Sequence, residues 1–230
     1  MEEVKKKKRK GEIKFDITLT DEQKSAKAEM LRSTCVILDG SPGTSKSTLS
    51  MNVALDLLFT GQITKIYCTR PPIELSQFSK FGAIPGTEKD KNAVYMEPFL
   101  DAIKANYNNG VAKKNRIEKA LSTEEIVFLP MPYLRGRNLG NANYNCVVLV
   151  DEAQSCDPDT MYAILTRLGE GSKMFLTMDA KQADHKGESG GKKLLRIVDK
   201  VEGLKLIKLY NNYRSKFVQA INKFWWDTKD

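Results

Sequence analysis

Gly40-Ser41-Pro42-Gly43-Thr44-Ser45-Lys46-Ser47 is the stretch that decides the fold. It follows the apolar run Cys35-Val36-Ile37-Leu38 and precedes Leu49-Ser50-Met51-Asn52-Val53-Ala54-Leu55, a segment of helix-forming residues. Strand, glycine-bearing loop and helix in that order make a phosphate-binding loop, because N–H groups of the loop and the helix N-terminus converge on anionic oxygens. Gly40 to Thr48 would then wrap a nucleotide's phosphates, with Lys46 at the β- and γ-phosphates and the Ser47 hydroxyl on Mg²⁺. One residue departs from G-x-x-x-x-G-K-[ST]: Ser45 stands where the pattern has Gly. Gly serves where a loop needs positive φ or close approach to a ligand, and Ser in a strained left-handed conformation costs about 1–2 kcal/mol. Such strain would slow turnover. Taken alone, the run also fits an ordinary Gly/Pro/Ser turn between strand and helix.

A second motif lies downstream. Cys146-Val147-Val148-Leu149-Val150 runs into Asp151-Glu152-Ala153-Gln154. An apolar run ending in two carboxylates reads as a buried parallel strand whose C-terminal edge faces a ligand. Asp151 is the expected Mg²⁺ partner, and Glu152 the group that orients and deprotonates an attacking water. A strand followed by an acidic helix start would look the same. The phosphate loop upstream favours the first reading.

The chain has 230 residues, enough for one large α/β domain or two small ones. With no Pro/Gly/Ser-rich linker and no internal repeat, residues 12–230 are expected to form a single domain behind a basic, disordered arm, 1–11. Net charge is +8, and Lys5 to Lys10 supply six basic side chains against Glu2 and Glu3. That arm suits either nucleic-acid phosphates or plain solvation. No apolar run approaches the roughly 20 residues that span a membrane, and no apolar core follows the basic start, so a cytoplasmic protein is expected. Cys35, Cys68, Cys146 and Cys156 lack metal-ligand spacing and read as small apolar packing in a reducing compartment. His185 is the only histidine and lies in a polar stretch, which argues against His catalysis or a His metal site.

Thr20-Asp21-Glu22-Gln23 is a helix start, with Thr20 as N-cap and Gln23 in the capping-box position. Strands are expected at 34–38, 65–69, 125–129, 146–150, 173–177 and 204–209. Helices are expected after the phosphate loop to Phe59 and near 95–107, 113–121, 158–168 and 192–200. Residues 73–93 and 181–191 read as loops. Phe217, Ala220, Ile221, Phe224 and Trp225 fall on one face of a last helix. Strands alternating with helices predict an α/β fold, a mainly parallel sheet with helices on both faces.

Several motifs in this order resemble the PhoH-like family of P-loop ATPases, which are similar to the first RecA-like domain of superfamily 1 helicases. The resemblance runs from about Thr20 to Ile221. It rests on Gly40 to Ser47, Thr69-Arg70-Pro71, Tyr133-Leu134-Arg135-Gly136-Arg137, Asp151-Glu152-Ala153-Gln154, Leu165-Thr166-Arg167-Leu168-Gly169 with Gly171-Ser172-Lys173, and Asp179 with Gln182. It implies a RecA-like P-loop NTPase that uses ATP and Mg²⁺. It also implies adenine contact by the Gln23 amide, γ-phosphate sensing by Gln182, and a charge-stabilising arginine at Arg214 within Asn212-Tyr213-Arg214-Ser215. Arg167 is a second arginine candidate, acting across a subunit interface. Arg70, Arg135 and Arg137 would meet the phosphates of single-stranded RNA or DNA, and Tyr133 would stack a base. For each of these the bland alternative is a capping, loop or solvated surface residue.

The chain departs from the family at Ser45, and again at Met178, where the family usually has Gly before Asp179. A lone RecA-like core needs neighbours to clamp nucleic acid, so the resemblance implies a homo-oligomer, by family analogy a hexamer, from a bacterium or its phage. The sequence thus leads to an ATPase working on single-stranded nucleic acid. Two rivals stay open: a nucleotide-binding, ring-forming protein with little turnover, and a nucleic-acid-binding protein that works through its basic arm alone.

Overall fold

In the computed structural model, residues 17–71, 88–107, 111–182 and 189–224 are described. The basic arm, residues 72–87, His185 and Trp225 lie outside them. The strands are β1 (Cys35–Asp39), β2 (Lys65–Thr69), β3 (Ile126–Phe128), β4 (Cys146–Val150), β5 (Lys173–Met178) and β6 (Leu204–Lys208). They form one sheet in the order β3-β2-β4-β5-β1-β6, and every pairing is parallel. The helices are α1 (Asp21–Arg32), α2 (Lys46–Phe59), α3 (Glu88–Asn106), α4 (Val111–Ser122), α5 (Met131–Leu134), α6 (Pro158–Leu165), α7 (Gly190–Ile197) and α8 (Lys216–Phe224). This is the α/β architecture with a parallel sheet expected from the alternation of strands and helices.

Two cores, one on each face of the sheet, follow from the two-residue period of a strand. Val36, Leu38, Val147, Leu149 and Phe175 pack with Met51, Leu55 and Leu58 of α2 and Phe99 and Ile103 of α3. Their neighbours Ile37, Val148, Val150, Met174 and Leu176 point the other way, onto Leu134 of α5, Met161 and Ile164 of α6 and Leu194 of α7. Because strands of this kind are buried on both faces, they read in sequence as unbroken apolar runs. The four cysteines are buried in these layers. Burial pushes the Cys35 and Cys156 thiols up to about 12.

Three elements differ from the sequence expectation. Helix α3 begins at Glu88, inside the stretch read as loop, because residues 88–97 are charged but contain neither Gly nor Pro. Residues 131–134 form the short helix α5, with Pro132 in its first turn, where a missing N–H is harmless. Helix α8 stands where the 3.6-residue pattern put it, yet it buries no residue. Phe217 and Phe224 are 74% and 59% exposed. Asn222 instead hydrogen-bonds the phosphate loop described next, and Gln219 the segment before α8.

Candidate nucleotide site

All strands are parallel, so their C-terminal ends share one edge, and β1, β4 and β5 lie side by side. The Gly40–Ser47 loop leaves β1 at this edge. The Gly40 N–H donates to the Met178 carbonyl at 3.2 Å, and the Ala180 N–H donates to Asp39 Oδ1 at 3.0 Å. A Cβ on Gly40 would sit 2.5 Å from the Leu209 carbonyl oxygen, so only glycine fits there. Ser45 has φ 63° and ψ 27°, the left-handed conformation that the glycine of the pattern would supply. Helix α2 starts directly behind it, with the Leu49 N–H donating to the Ser45 carbonyl at 2.9 Å.

The segment after β6 clamps the loop from outside. The Asn212 side-chain amide donates to the Pro42 carbonyl at 2.8 Å, and the Tyr213 N–H donates to the Gly43 carbonyl at 2.9 Å. From α8, Asn222 donates to the same Pro42 carbonyl at 3.0 Å. Gln219 Nε2 donates to the Asn212 and Arg214 carbonyls at 3.1 and 2.8 Å. Arg214 is thereby brought against Gly43, where a Cβ would meet Arg214 Cγ at 2.4 Å.

These parts enclose a cavity of about 670 Å³. Lys46, Ser47, Asp151, Glu152, Gln182 and Arg214 all border it. Residues far apart in sequence therefore meet at one place. Lys46 Nζ donates to the Gly40 and Ser41 carbonyls at 2.6 and 3.1 Å. Burial lowers the Lys46 pKa from its ordinary value, while Asp179, Glu152, Asp151 and Asp39 pull in the opposite direction. The Ser47 hydroxyl donates to Asp151 Oδ1 at 2.9 Å, and the Thr177 hydroxyl donates to the same oxygen. A hydroxyl and a carboxylate are hard oxygen donors of the kind that Mg²⁺ takes together with phosphate and water, so Ser47 and Asp151 fit that ion. Among the described residues no cluster of three His, Cys, Asp or Glu could hold a metal by protein ligands alone.

Glu152 also has a left-handed backbone, φ 55° and ψ 41°, and its carboxylate accepts from the Gln154 amide. Asp179 is 6% exposed; its Oδ1 accepts from the Lys181 N–H at 3.0 Å, while Oδ2 finds no hydrogen-bond partner among the described residues.

Sequence reasoning missed several residues here. Thr177 and Gln154 hold the two carboxylates; Gln154 stood in the Asp151-Glu152-Ala153-Gln154 motif without an assigned role, and the only sequence signal for Thr177 was its place at a strand end. Glu97, Pro98 and Asp101 of α3 form the far wall, and no local pattern in α3 announces that contact. Tyr213 borders the cavity beside Arg214, and its OH lies 3.0 Å from Thr20 Oγ1.

Other expected residues lie elsewhere. Gln23 is buried, and its Oε1 accepts from the Thr20 N–H at 3.0 Å, closing the capping box; it is not among the residues that line the cavity. Arg70 follows β2 and lines a small cleft with Met96, Phe99 and Phe128; its Nε is buried without a partner among the described residues. Tyr133 on α5 is 59% exposed and Arg137 is exposed. Arg135 donates to the Thr160 hydroxyl and lies 3.9 Å from Asp157. Arg167 is exposed beyond α6 and does not border the cavity.

A phosphate loop on β1, a carboxylate strand two positions away in the sheet, and a shared cavity at the strand ends define the P-loop NTPase class. Within it, residues 17–225 match the family model described as PhoH-like protein, and the chain belongs to that family. It is 35% identical over 192 residues to a PhoH-like protein of Bacillus subtilis, covering 81% of this chain and 56% of that one. It is 34% identical over 172 residues to a PhoH-like protein of Mycobacterium tuberculosis, covering 74% and 46%. The chain thus spans about half the length of these curated relatives. Among solved structures it is similar to the Pif1 helicase of Candida albicans, at 18% identity and a TM-score of 0.47, covering 90% of this chain and 43% of that one. No helix among the described residues is long and apolar enough to cross a membrane.

Proposed function

We propose that this chain is a Mg²⁺-dependent ATPase that couples hydrolysis to movement on, or remodelling of, single-stranded RNA or DNA. The observation that carries the reading is the single cavity bordered by Lys46, Ser47, Asp151, Glu152, Gln182 and Arg214. The loop N–H groups and the N-terminus of α2 receive the phosphates. Lys46 turns from the loop carbonyls to the β- and γ-phosphate oxygens. Ser47 and Asp151 hold Mg²⁺, which when bound neutralises charge on the phosphate oxygens. Glu152 takes a proton from water as the water oxygen bonds to the γ-phosphorus, and the bond to the bridging oxygen of ADP breaks. Arg214 and Lys46 stabilise the charge of the transferring group. Tyr213 offers an aromatic face at the cavity rim for the base. Arg70, Tyr133, Arg135 and Arg137 form the nucleic-acid path, and a homo-oligomer, as a hexamer with Arg167 at the interface, closes it.

The left-handed backbone of Ser45 favours a second reading, a nucleotide-gated assembly protein with turnover near background. Phosphate release from Mg²⁺-ATP, with and without single-stranded RNA or DNA and beside Glu152→Gln, decides between them. Release above that variant, stimulated by one polymer, supports the ATPase. A rate equal to the variant in protein that binds ATP overturns it in favour of the second reading.

A further inference from the structure

Gln154 is 2% exposed, in the 3₁₀ turn Ala153–Ser155 directly after Glu152. Its Nε2 donates to Glu152 Oε2, and its Oε1 accepts from the Asp179 N–H at 3.2 Å. A carboxylate can only accept and a backbone N–H can only donate, so the two partners admit one orientation of the amide. Asp179 opens the turn that carries Gln182, which is closed by the Gln182 N–H donating to the Asp179 carbonyl at 3.0 Å. Helix α7 backs the bridge: a Cβ on Gly191 would lie 3.2 Å from Gln154 Cα and 3.1 Å from the Ala153 carbonyl oxygen.

We propose that Gln154 is a positioning residue that aims the Glu152 carboxylate and ties it to the 179–182 turn carrying Gln182. This deepens the reading of Glu152 as the base and rests on it. With one oxygen held by Gln154, the other is left for the water. Any shift of the turn at Asp179 is passed through one rigid amide to the base. Only Gln does this at this reach: Glu has no donor, Met neither donor nor acceptor, and Asn is a methylene too short.

The test uses the full chain and compares Gln154→Met with wild type and Glu152→Gln. Turnover, the Kd for Mg²⁺-ATP and hydrogen exchange at the Asp179 amide are measured together. The expected result is kcat down about tenfold or more, the scale on which partners of a working group act, with Kd within about twofold. Asp179 should exchange about fivefold to tenfold faster, as one lost hydrogen bond allows, while β1 and β4 keep their protection. Turnover kept in Gln154→Met, kcat falling as Kd rises in proportion, or unchanged exchange at Asp179 each overturns the bridge. Where the Met variant does not fold, Gln154→Asn must give the same split. Turnover lost in Glu152→Gln but kept in Gln154→Met sinks this inference alone. Turnover that Glu152→Gln does not lower sinks the base assignment and this inference with it.

Discussion

Two polar networks flank the phosphate-loop helix, and they are finished to different degrees. Behind α2, Asn52 and Asn106 are buried, at 1% and 0% exposure. The Asn52 amide donates to Asn106 Oδ1 at 2.8 Å and its oxygen accepts from Lys27 at 3.2 Å. Asn106 in turn donates to the Thr48 and Ala102 carbonyls at 3.0 and 2.9 Å. Both amides are used at both ends, and Lys27 pairs with Asp56 at 2.6 Å. In front of α2, four carboxylates (Asp39, Asp151, Glu152 and Asp179) act on the single ammonium of Lys46. One buried oxygen there, Asp179 Oδ2, has no partner among the described residues. A closed network fixes the angle between helices, whereas one with excess charge and an unmatched oxygen is built for something that arrives. Breaking the first should therefore show up as lost stability, and breaking the second as lost chemistry.

The largest effect is expected in front. Removing general-base or phosphate-binding groups of this kind lowers turnover by about a hundredfold or more. Lys46→Ala should lose turnover and ATP affinity together, while Glu152→Gln should lose turnover and keep affinity. Glu152→Gln should not lower the thermal midpoint appreciably, since it gives up one hydrogen bond, whereas Lys46→Ala also removes the countercharge of four carboxylates and should lower it. Calorimetry beside a phosphate-release assay checks this. A Glu152→Gln chain that melts many degrees lower would show that the front network is structural after all.

The next effect belongs to the network behind. Asn106→Leu leaves the Asn52 amide without its acceptor and takes the side-chain donor from the Thr48 and Ala102 carbonyls, which lie within helices. The unsatisfied amide costs about 1–3 kcal/mol and each lost carbonyl bond about 0.5 kcal/mol, so a loss of about 2–4 kcal/mol is expected. At this chain length that lowers the midpoint by about 5–15 °C. Turnover measured well below the midpoint should change much less than in Lys46→Ala. A variant that melts like wild type would show that the amide network is not needed to hold α3 against α2.

This contrast also explains what was legible in the sequence. The strands are short apolar runs ended by Gly, Pro or a carboxylate, so β1, β2 and β4 could be read with their ends close to right. The phosphate loop and Asp151-Glu152 announce themselves because their chemistry needs fixed neighbours in sequence. Gln154, Thr177 and the α3 wall act through space. Their residue types are common, and although Gln154 closes the quoted Asp151–Gln154 motif, nothing local shows what any of them touches. The start of α3 was misread because the charged residues from Glu88 on were taken together with the Gly- and Pro-bearing stretch before them as one loop. The facing of α8 was not readable either: its 3.6-residue pattern is real, but Asn222 bonds the phosphate loop and Gln219 the segment that clamps it.

Within the front network a smaller effect is expected from Asp179→Asn. The change removes one of the carboxylates crowded around Lys46 and replaces an unmatched oxygen with a donor. Relief of like charge at a buried site should stabilise the fold by about 1 kcal/mol. The same change should lower turnover, because the Lys181 N–H that holds the turn carrying Gln182 then donates to a neutral amide oxygen in place of a carboxylate, a weaker bond. Stability rising as activity falls is the signature of a site strained for function. Both falling together would place Asp179 with the closed network instead.

The smallest effect separates backbone from side chain at the loop itself. Ser45 sits at φ 63° and ψ 27°, and its side chain makes no capping hydrogen bond to α2. A left-handed non-glycine residue costs about 1–2 kcal/mol, and glycine gives back about 0.5–1 kcal/mol through the freedom it adds to the unfolded chain. Ser45→Gly should therefore change stability by no more than about 1 kcal/mol, in the stabilising direction. Ser45→Val carries a β-branched side chain into the same conformation, where such residues are outliers, and should lose clearly more. Turnover is the finer readout. If the loop needs only the left-handed backbone, Ser45→Gly will match or exceed wild type, since Ser already adopts the shape that Gly would give. If Ser45→Gly falls well below wild type, the hydroxyl itself takes part at the phosphates, and the departure from the glycine pattern is a working feature of this chain rather than a tolerated strain.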